Sequence, residues 1–290
     1  MFSGSIVAIV TPFKENKVDE DAYRGLIEFQ IENGTNAIVP CGTTGESATL
    51  EFEEHERVIS IAVDAVKGRV PVIAGTGGNS TAEAIELTAH AKKVGADATL
   101  QVTPYYNKPT QEGLYLHFKA IAEAVPLPQV LYNVPGRTSV NMLPETVARL
   151  AELPEVVAIK EASGSLGQMS EVLALAGDKI TLLSGDDNVT LPVLAIGGKG
   201  VVSVIANIVP GDTSRMVKLW QEGDAAGARE LFYKLFPLSK AAFFETNPIP
   251  VKTALALMGK ITGEMRLPMC RMAPGNLEKL KKVLLDYGLI

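Results

Sequence analysis

Disulfide scaffolds and zinc clusters need thiols and imidazoles in number, and this chain has few of either. It carries two cysteines, Cys41 and Cys270, and three histidines, His55, His90 and His117, in 290 residues. Neither the number nor the spacing of the cysteines suits a disulfide framework. The histidines lie far apart and no His-Glu-x-x-His occurs, so no metal site is expected. Long apolar runs are missing too: none approaches the ~18 residues needed to span a bilayer. Met1-Phe2-Ser3-Gly4-Ser5 has no basic segment leading into an apolar one, as a secretory signal would. These absences predict a cytoplasmic protein with reduced thiols and no membrane partner. Basic excess is also lacking, with 27 Lys and Arg against 33 Asp and Glu and a formal net charge of −6. That balance favours solubility and leaves no electrostatic footprint for nucleic acid. A small anionic ligand in a locally positive pocket stays compatible with it. Nucleotide signatures fail as well. Gly42-Thr43-Thr44-Gly45 lacks the following Gly-Lys-Ser/Thr of a P-loop. Gly75-Thr76-Gly77-Gly78-Asn79-Ser80 has serine where a dinucleotide fingerprint needs its third glycine.

What is present is a rhythm. Eight short apolar runs, rich in β-branched residues, lie at 5–13, 37–42, 71–77, 98–106, 129–135, 156–164, 180–187 and 200–207. They are nearly continuous rather than alternating, as suits strands covered on both faces. Stretches with helical spacing separate them. Residues 19–33 place Tyr23, Leu26, Ile27 and Ile31 on one face, and Gly34 follows as a C′ residue. Residues 51–66 and 80–94 read the same way, the latter with Ser80 or Thr81 as N-cap. Pro144 and Pro210 stand where helices would begin. Eight alternations without a dinucleotide fingerprint predict an α/β fold of the closed (β/α)8 barrel type rather than an open doubly wound sheet. Such a barrel takes about 250 residues, which leaves room for a small appendage. Strand signals stop near Gly223-Asp224. The expected division is a catalytic barrel over 1–223 and a helical extension over 224–290, with helices at 225–244, 250–258 and 274–287.

Barrels of this kind carry their active sites at the C-terminal ends of the strands. Lys160 falls there, after Val156-Val157-Ala158-Ile159. A buried strand is a poor place for an ammonium, and desolvation favours the neutral amine. A neutral amine attacks a ketone to form an imine. On its own, Lys160 could equally be a lysine snorkelling out of the strand end. Tyr132, in an apolar run on the adjacent strand, could pass protons during imine formation; a core tyrosine is the alternative. Gly42-Thr43-Thr44-Gly45 is a tight turn whose N–H groups suit a carboxylate or phosphate, or simply a strand-to-helix turn. Arg137, just past Pro135-Gly136, could clamp a carboxylate or remain a solvated loop residue.

These segments occur together and in order, from Gly4-Ser5-Ile6-Val7-Ala8-Ile9-Val10-Thr11-Pro12 through Gly42-Thr43-Thr44-Gly45-Glu46-Ser47-Ala48-Thr49-Leu50 and Val102-Thr103-Pro104-Tyr105-Tyr106-Asn107. Tyr132-Asn133-Val134-Pro135-Gly136-Arg137-Thr138, Ile159-Lys160-Glu161-Ala162-Ser163-Gly164, Leu183-Ser184-Gly185-Asp186-Asp187 and Asn247-Pro248-Ile249-Pro250-Val251-Lys252 follow. In this the whole chain resembles the dihydrodipicolinate synthase family, within the N-acetylneuraminate lyase superfamily. The resemblance implies a class I aldolase-type lyase that condenses pyruvate with L-aspartate-β-semialdehyde in the diaminopimelate route to lysine. It implies that Lys160 forms the imine, that Tyr132, Thr43 and Tyr106 relay protons, and that Tyr106 does so in a neighbouring subunit. Thr44, Gly185 and Val202 would line the pyruvate pocket, and Arg137 would bind the semialdehyde carboxylate. No cofactor is implied. A homotetramer of two tight dimers is, with an L-lysine effector site at Ser47, Ala48, His55, Asn79, Glu83 and Tyr105. One position departs there: Phe52 stands where some lysine-sensitive members carry histidine. Lyases of sialic acid or 2-keto-3-deoxy sugar acids share the lysine and tyrosine, but Thr43 and Arg137 favour the synthase. A non-catalytic keto-acid sensor on the same barrel conflicts with an intact Lys160, Tyr132 and Thr43.

Overall fold

Apolar runs that must be covered on both faces find that cover in a closed parallel sheet ringed by helices. The computed structural model describes residues 2–290. Its centre is eight strands: β1 (Gly4–Ala8), β2 (Ala37–Val39), β3 (Ile73–Gly75), β4 (Ala98–Val102), β5 (Gln129–Asn133), β6 (Val156–Glu161), β7 (Thr181–Ser184) and β8 (Gly200–Ser203). They pair in parallel in the order β2-β1-β8-β7-β6-β5-β4-β3. A bridge between Ile38 and Val72 joins the two ends of that order, so the sheet closes into the expected (β/α)8 barrel.

Helices alternate with the strands: α1 (Glu20–Glu32), α2 (Phe52–Val66), α3 (Thr81–Val94), α4 (Gln111–Ala124), α5 (Pro144–Leu150), α6 (Leu166–Ala176), α7 (Thr190–Ala195) and α8 (Pro210–Gln221). Local chemistry sets their starts. Asp19 accepts the Ala22 N–H at 3.1 Å, and Ser80, rather than Thr81, accepts the Glu83 N–H at 3.4 Å. Proline opens α5 and α8, where its missing N–H costs nothing. Gly34 follows α1 at φ +80°. Among the described residues no helix is long and apolar enough to cross a membrane.

The apolar runs overstate the strands. The first, read as 5–13, gives a strand that stops at Ala8. Pro12 has no N–H to offer a ladder, and Phe13–Lys14 pairs instead with Lys17–Val18 in a separate antiparallel hairpin. The run at 98–106 likewise ends as strand at Val102, ahead of Pro104.

Strand period two sorts the side chains. Ile6, Val39, Ile73, Leu100, Leu183 and Val202 belong to one interior cluster, and Ala158 joins them from β6. Two residues on, Lys160 therefore points into the barrel, while Ile159 packs outward under the helices. Beyond α8 the chain forms α9 (Ala225–Ala241), α10 (Ile249–Leu257) and α11 (Pro274–Tyr287). Leu235, Leu238, Val251, Leu255 and Leu284 share one hydrophobic core with Val7, Ile38 and Val201 of the barrel, so these helices are packed on its outer face.

Candidate active site

Lys160 and Tyr132 are register partners on adjacent strands. Both are 5% exposed, and Lys160 Nζ lies 4.0 Å from the centroid of the Tyr132 ring. The amine is thus held against an aromatic face at the C-terminal end of an apolar barrel. Behind it, Glu161 points the other way and is fully buried. Its carboxylate accepts from Asn133 Nδ2 at 3.0 Å, Gln168 Nε2 at 3.3 Å and the Ser163 N–H at 2.7 Å. These bonds fix the ends of β5 and β6 relative to each other, and with them the lysine–tyrosine pair.

Thr43 follows β2 and lines, with Tyr132, Gly42 and Gly75, a small cavity of about 30 Å³. That is room for a water or a hydroxyl-sized group. Thr44 is buried, and its Oγ1 accepts from Asn247 Nδ2 at 2.9 Å. Its own hydroxyl hydrogen is thereby left to donate elsewhere. Gly185, just past β7, donates to the Glu161 carbonyl at 2.8 Å. A Cβ there would meet that of Ala162 at 2.6 Å, so the close approach of β6 and β7 requires glycine. Val202 on β8 is buried in the interior cluster.

Arg137 sits in the helical turn Pro135–Thr138 at the mouth, exposed, with Nη2 donating to the Asn247 carbonyl at 3.3 Å. It lines a cavity of about 400 Å³ together with Thr43, Val134 and Asn247. Tyr106 is not gathered with these groups. It is 91% exposed, at φ +72°, and lines neither cavity. Cys41 and Glu46 flank the Thr43-Thr44 turn and are left-handed as well. Such backbone persists where surroundings enforce it, commonly near functional sites.

The larger cavity continues to Ser47, Ala48, Phe52, His55, Glu83 and Tyr105. Asn79 does not line it; its Nδ2 donates to the Tyr105 carbonyl at 3.3 Å, so it holds that loop. His55 Nε2 is 2.7 Å from the Gly75 carbonyl, and burial lowers the ring's pKa. His55 is therefore a neutral donor to Gly75, with only Nδ1 left, as an acceptor, for a ligand.

Two acids of the segment 183–187, to which the sequence assigns no role, lie one residue past the apolar strand β7. Asp187 is buried. It accepts from Ser203 Oγ at 2.5 Å and from the Val204 and Ile205 N–H groups at 2.9 and 3.1 Å, tying the ends of β7 and β8. Burial raises its pKa against those bonds. Asp186 is half-buried. Burial pushes its carboxyl up to about 6, against the pull of Lys160, and Arg137 also acts on it. It is a carboxylate that changes charge near neutrality beside the candidate nucleophile.

This arrangement can hold a carboxylate-bearing carbonyl compound and attack it with an amine. A model of the dihydrodipicolinate synthetase family matches residues 1–286. The 4-hydroxy-tetrahydrodipicolinate synthase of Geotalea uraniireducens is 63% identical over 290 residues, covering 100% of both chains. The crystal structure of the chloride-inhibited dihydrodipicolinate synthase of Acinetobacter baumannii, complexed with pyruvate, is 49% identical with a TM-score of 0.98 and covers 100% of both chains. That of the Cyanidioschyzon merolae enzyme with lysine bound is 44% identical with a TM-score of 0.97, covering 100% of this chain and 99% of its own.

Proposed function

Because the chain belongs to the dihydrodipicolinate synthetase family, we propose that its barrel mouth condenses pyruvate with L-aspartate-β-semialdehyde through an imine on Lys160. The observation that carries the reading is the buried Lys160 amine against the Tyr132 ring in an otherwise apolar interior. The Lys160 amine attacks C2 of pyruvate, and the carbinolamine loses water to give an iminium. Loss of a methyl proton gives the enamine, which attacks the semialdehyde carbonyl. The amino group of the new chain then displaces Lys160 by transimination and closes a six-membered ring. Tyr132 and Thr43 move the protons. Thr44, Gly185 and Val202 line the pyruvate pocket. Tyr106, pointing away from its own protomer, joins the relay of a neighbour in a homotetramer of tight dimers.

Arg137 is the group that meets the second substrate's carboxylate. In a coupled assay supplying pyruvate and the semialdehyde, Arg137→Ala is expected to lower kcat/KM for the semialdehyde by about 10–100-fold, the loss of a charge-assisted hydrogen bond. The pyruvate adduct should still form. Equal loss of both functions would make Arg137 a strut for Asn247. Failure of the unmodified chain to consume the semialdehyde would overturn the reading itself.

The cavity bounded by Ser47, Ala48, His55, Glu83 and Tyr105 is proposed to take L-lysine. Glu83 accepts an ammonium and Asn79 holds Tyr105 in place. Phe52 offers an aromatic face, worth ~0.5–2 kcal/mol to a cation. Tyr105 precedes Tyr106, so a ligand on the one bears on the relay residue beside it. Millimolar L-lysine is expected to inhibit turnover and, by linkage, pyruvate and lysine should alter each other's affinity by the same factor. No inhibition of an active enzyme that sediments as a tetramer would end the effector assignment.

A further inference from the structure

The chemistry above leaves one buried ion pair without a task. Lys252 on α10 is fully buried; its Nζ donates to Glu46 Oε1 at 2.5 Å and to the Thr11 carbonyl at 2.9 Å. Glu46 is buried as well, and its second oxygen accepts the Arg266 N–H at 3.2 Å. Stability alone does not account for such a pair. The desolvation of two charges offsets much of their attraction, and apolar residues of the same volume often serve as well or better.

What the pair grips is the turn that carries the relay. Glu46 has φ +56°, a left-handed backbone that a residue with a side chain keeps only when its surroundings hold it. Its N–H donates to the Thr43 carbonyl at 3.1 Å and so closes the turn over Thr44 and Gly45. The Thr11 hydroxyl donates to the Gly45 carbonyl at 2.7 Å, and the carbonyl of the same Thr11 receives Lys252. Just ahead of α10, Asn247 donates to the Thr44 hydroxyl at 2.9 Å. The start of one helix in the C-terminal extension thus holds the turn at Thr44, at Glu46 and, through Thr11, at Gly45.

We propose that the Glu46–Lys252 pair is a positioning device for the Thr43-Thr44 turn, which makes the C-terminal extension a working part of the active site rather than a cap on the barrel. This rests on the reading of Thr43 as a proton relay and Thr44 as a pyruvate contact. If Glu46 leaves its left-handed conformation, the Thr43 hydroxyl moves relative to Tyr132, and proton transfer is the step most sensitive to such a shift. Imine formation at Lys160, on a rigid strand, draws on the same relay but is slowed less, and at saturating pyruvate it still runs to completion.

The test is the neutral, size-matched double variant Glu46→Gln/Lys252→Met in the full chain. Two rates are read per active site: trapping of pyruvate on Lys160 by borohydride, and exchange of the pyruvate methyl protons with deuterated solvent in the absence of semialdehyde. Trapping is expected to persist at saturating pyruvate, KM for pyruvate to rise, and exchange to fall about 10–100-fold. A purely structural pair would reduce the amount of folded protein but leave exchange per trapped site unchanged, and that result overturns the proposal. Should the double variant not fold, the isosteric Glu46→Gln carries the same split at smaller size, and unchanged exchange per trapped site overturns it equally. Absence of any Lys160 adduct in the unmodified chain is a different failure: the Schiff-base reading falls, and the positioning role falls with it.

Discussion

Lys160→Met is expected to abolish the borohydride-trapped adduct with pyruvate and to slow turnover by on the order of 10³-fold or more, about 4 kcal/mol of barrier. The substitution keeps much of the side-chain volume against Tyr132, with a thioether sulfur in place of one methylene, and takes away the amine. Without it the carbanion equivalent of pyruvate has no enamine to reside in. The chain offers one other deeply buried lysine, Lys252, but its Nζ is engaged by Glu46 and the Thr11 carbonyl. An ion-paired ammonium is a poor nucleophile, so Lys252 is not expected to substitute. Digestion and mass spectrometry of the trapped protein locate the adduct, and a label on Lys252 or any other lysine would sink the assignment. The thermal midpoint supplies a second check. Removing a buried amine that serves chemistry rather than packing should leave stability unchanged or raised. A large fall in the midpoint would mean that Lys160 is chiefly structural.

Much of this could be read without coordinates, and what could not has a common cause. Burial on both faces writes itself into sequence as unbroken Val, Ile and Leu, so all eight strands were visible as runs. Their ends were not, because buried loop residues such as Ile9 and Val10 are as apolar as the strand they leave. Only the inability of Pro12 and Pro104 to donate marks the exit, and the hairpin at Phe13–Lys14 and Lys17–Val18 is hidden in a charged segment. Lys160 stood out because a cation in an apolar run is anomalous wherever it occurs. Lys252 lies in an apolar stretch too, and Glu46 in a glycine-rich turn, but nothing local to either points to the other, 206 residues away. Asn247 and Asp186 lie in motifs that by themselves assign them no role. A hydrogen bond to Thr44 or a shared field with Lys160 exists only once the barrel closes. Local anomalies are legible in sequence; partnerships across the fold are not.

Tyr132→Phe removes one oxygen and leaves the ring under Lys160 Nζ in place. Packing and the contact between Nζ and the ring survive it, so any loss reports on the hydroxyl. Turnover is expected to fall roughly 10²–10⁴-fold, the range for a positioned acid–base group. Exchange of the pyruvate methyl protons with solvent should fall in parallel, since the same proton path serves enamine formation. The adduct with pyruvate should still form, more slowly. Near-normal turnover would remove Tyr132 from the mechanism and leave it a core aromatic. Thr43 sharpens the test because it shares the small cavity with Tyr132. Groups that pass one proton act as a unit, and their losses do not add. Tyr132→Phe/Thr43→Val is therefore expected to be little worse than the more damaging single change. Losses that instead multiply would mean two independent contributions, and a relay through both residues would have to be given up.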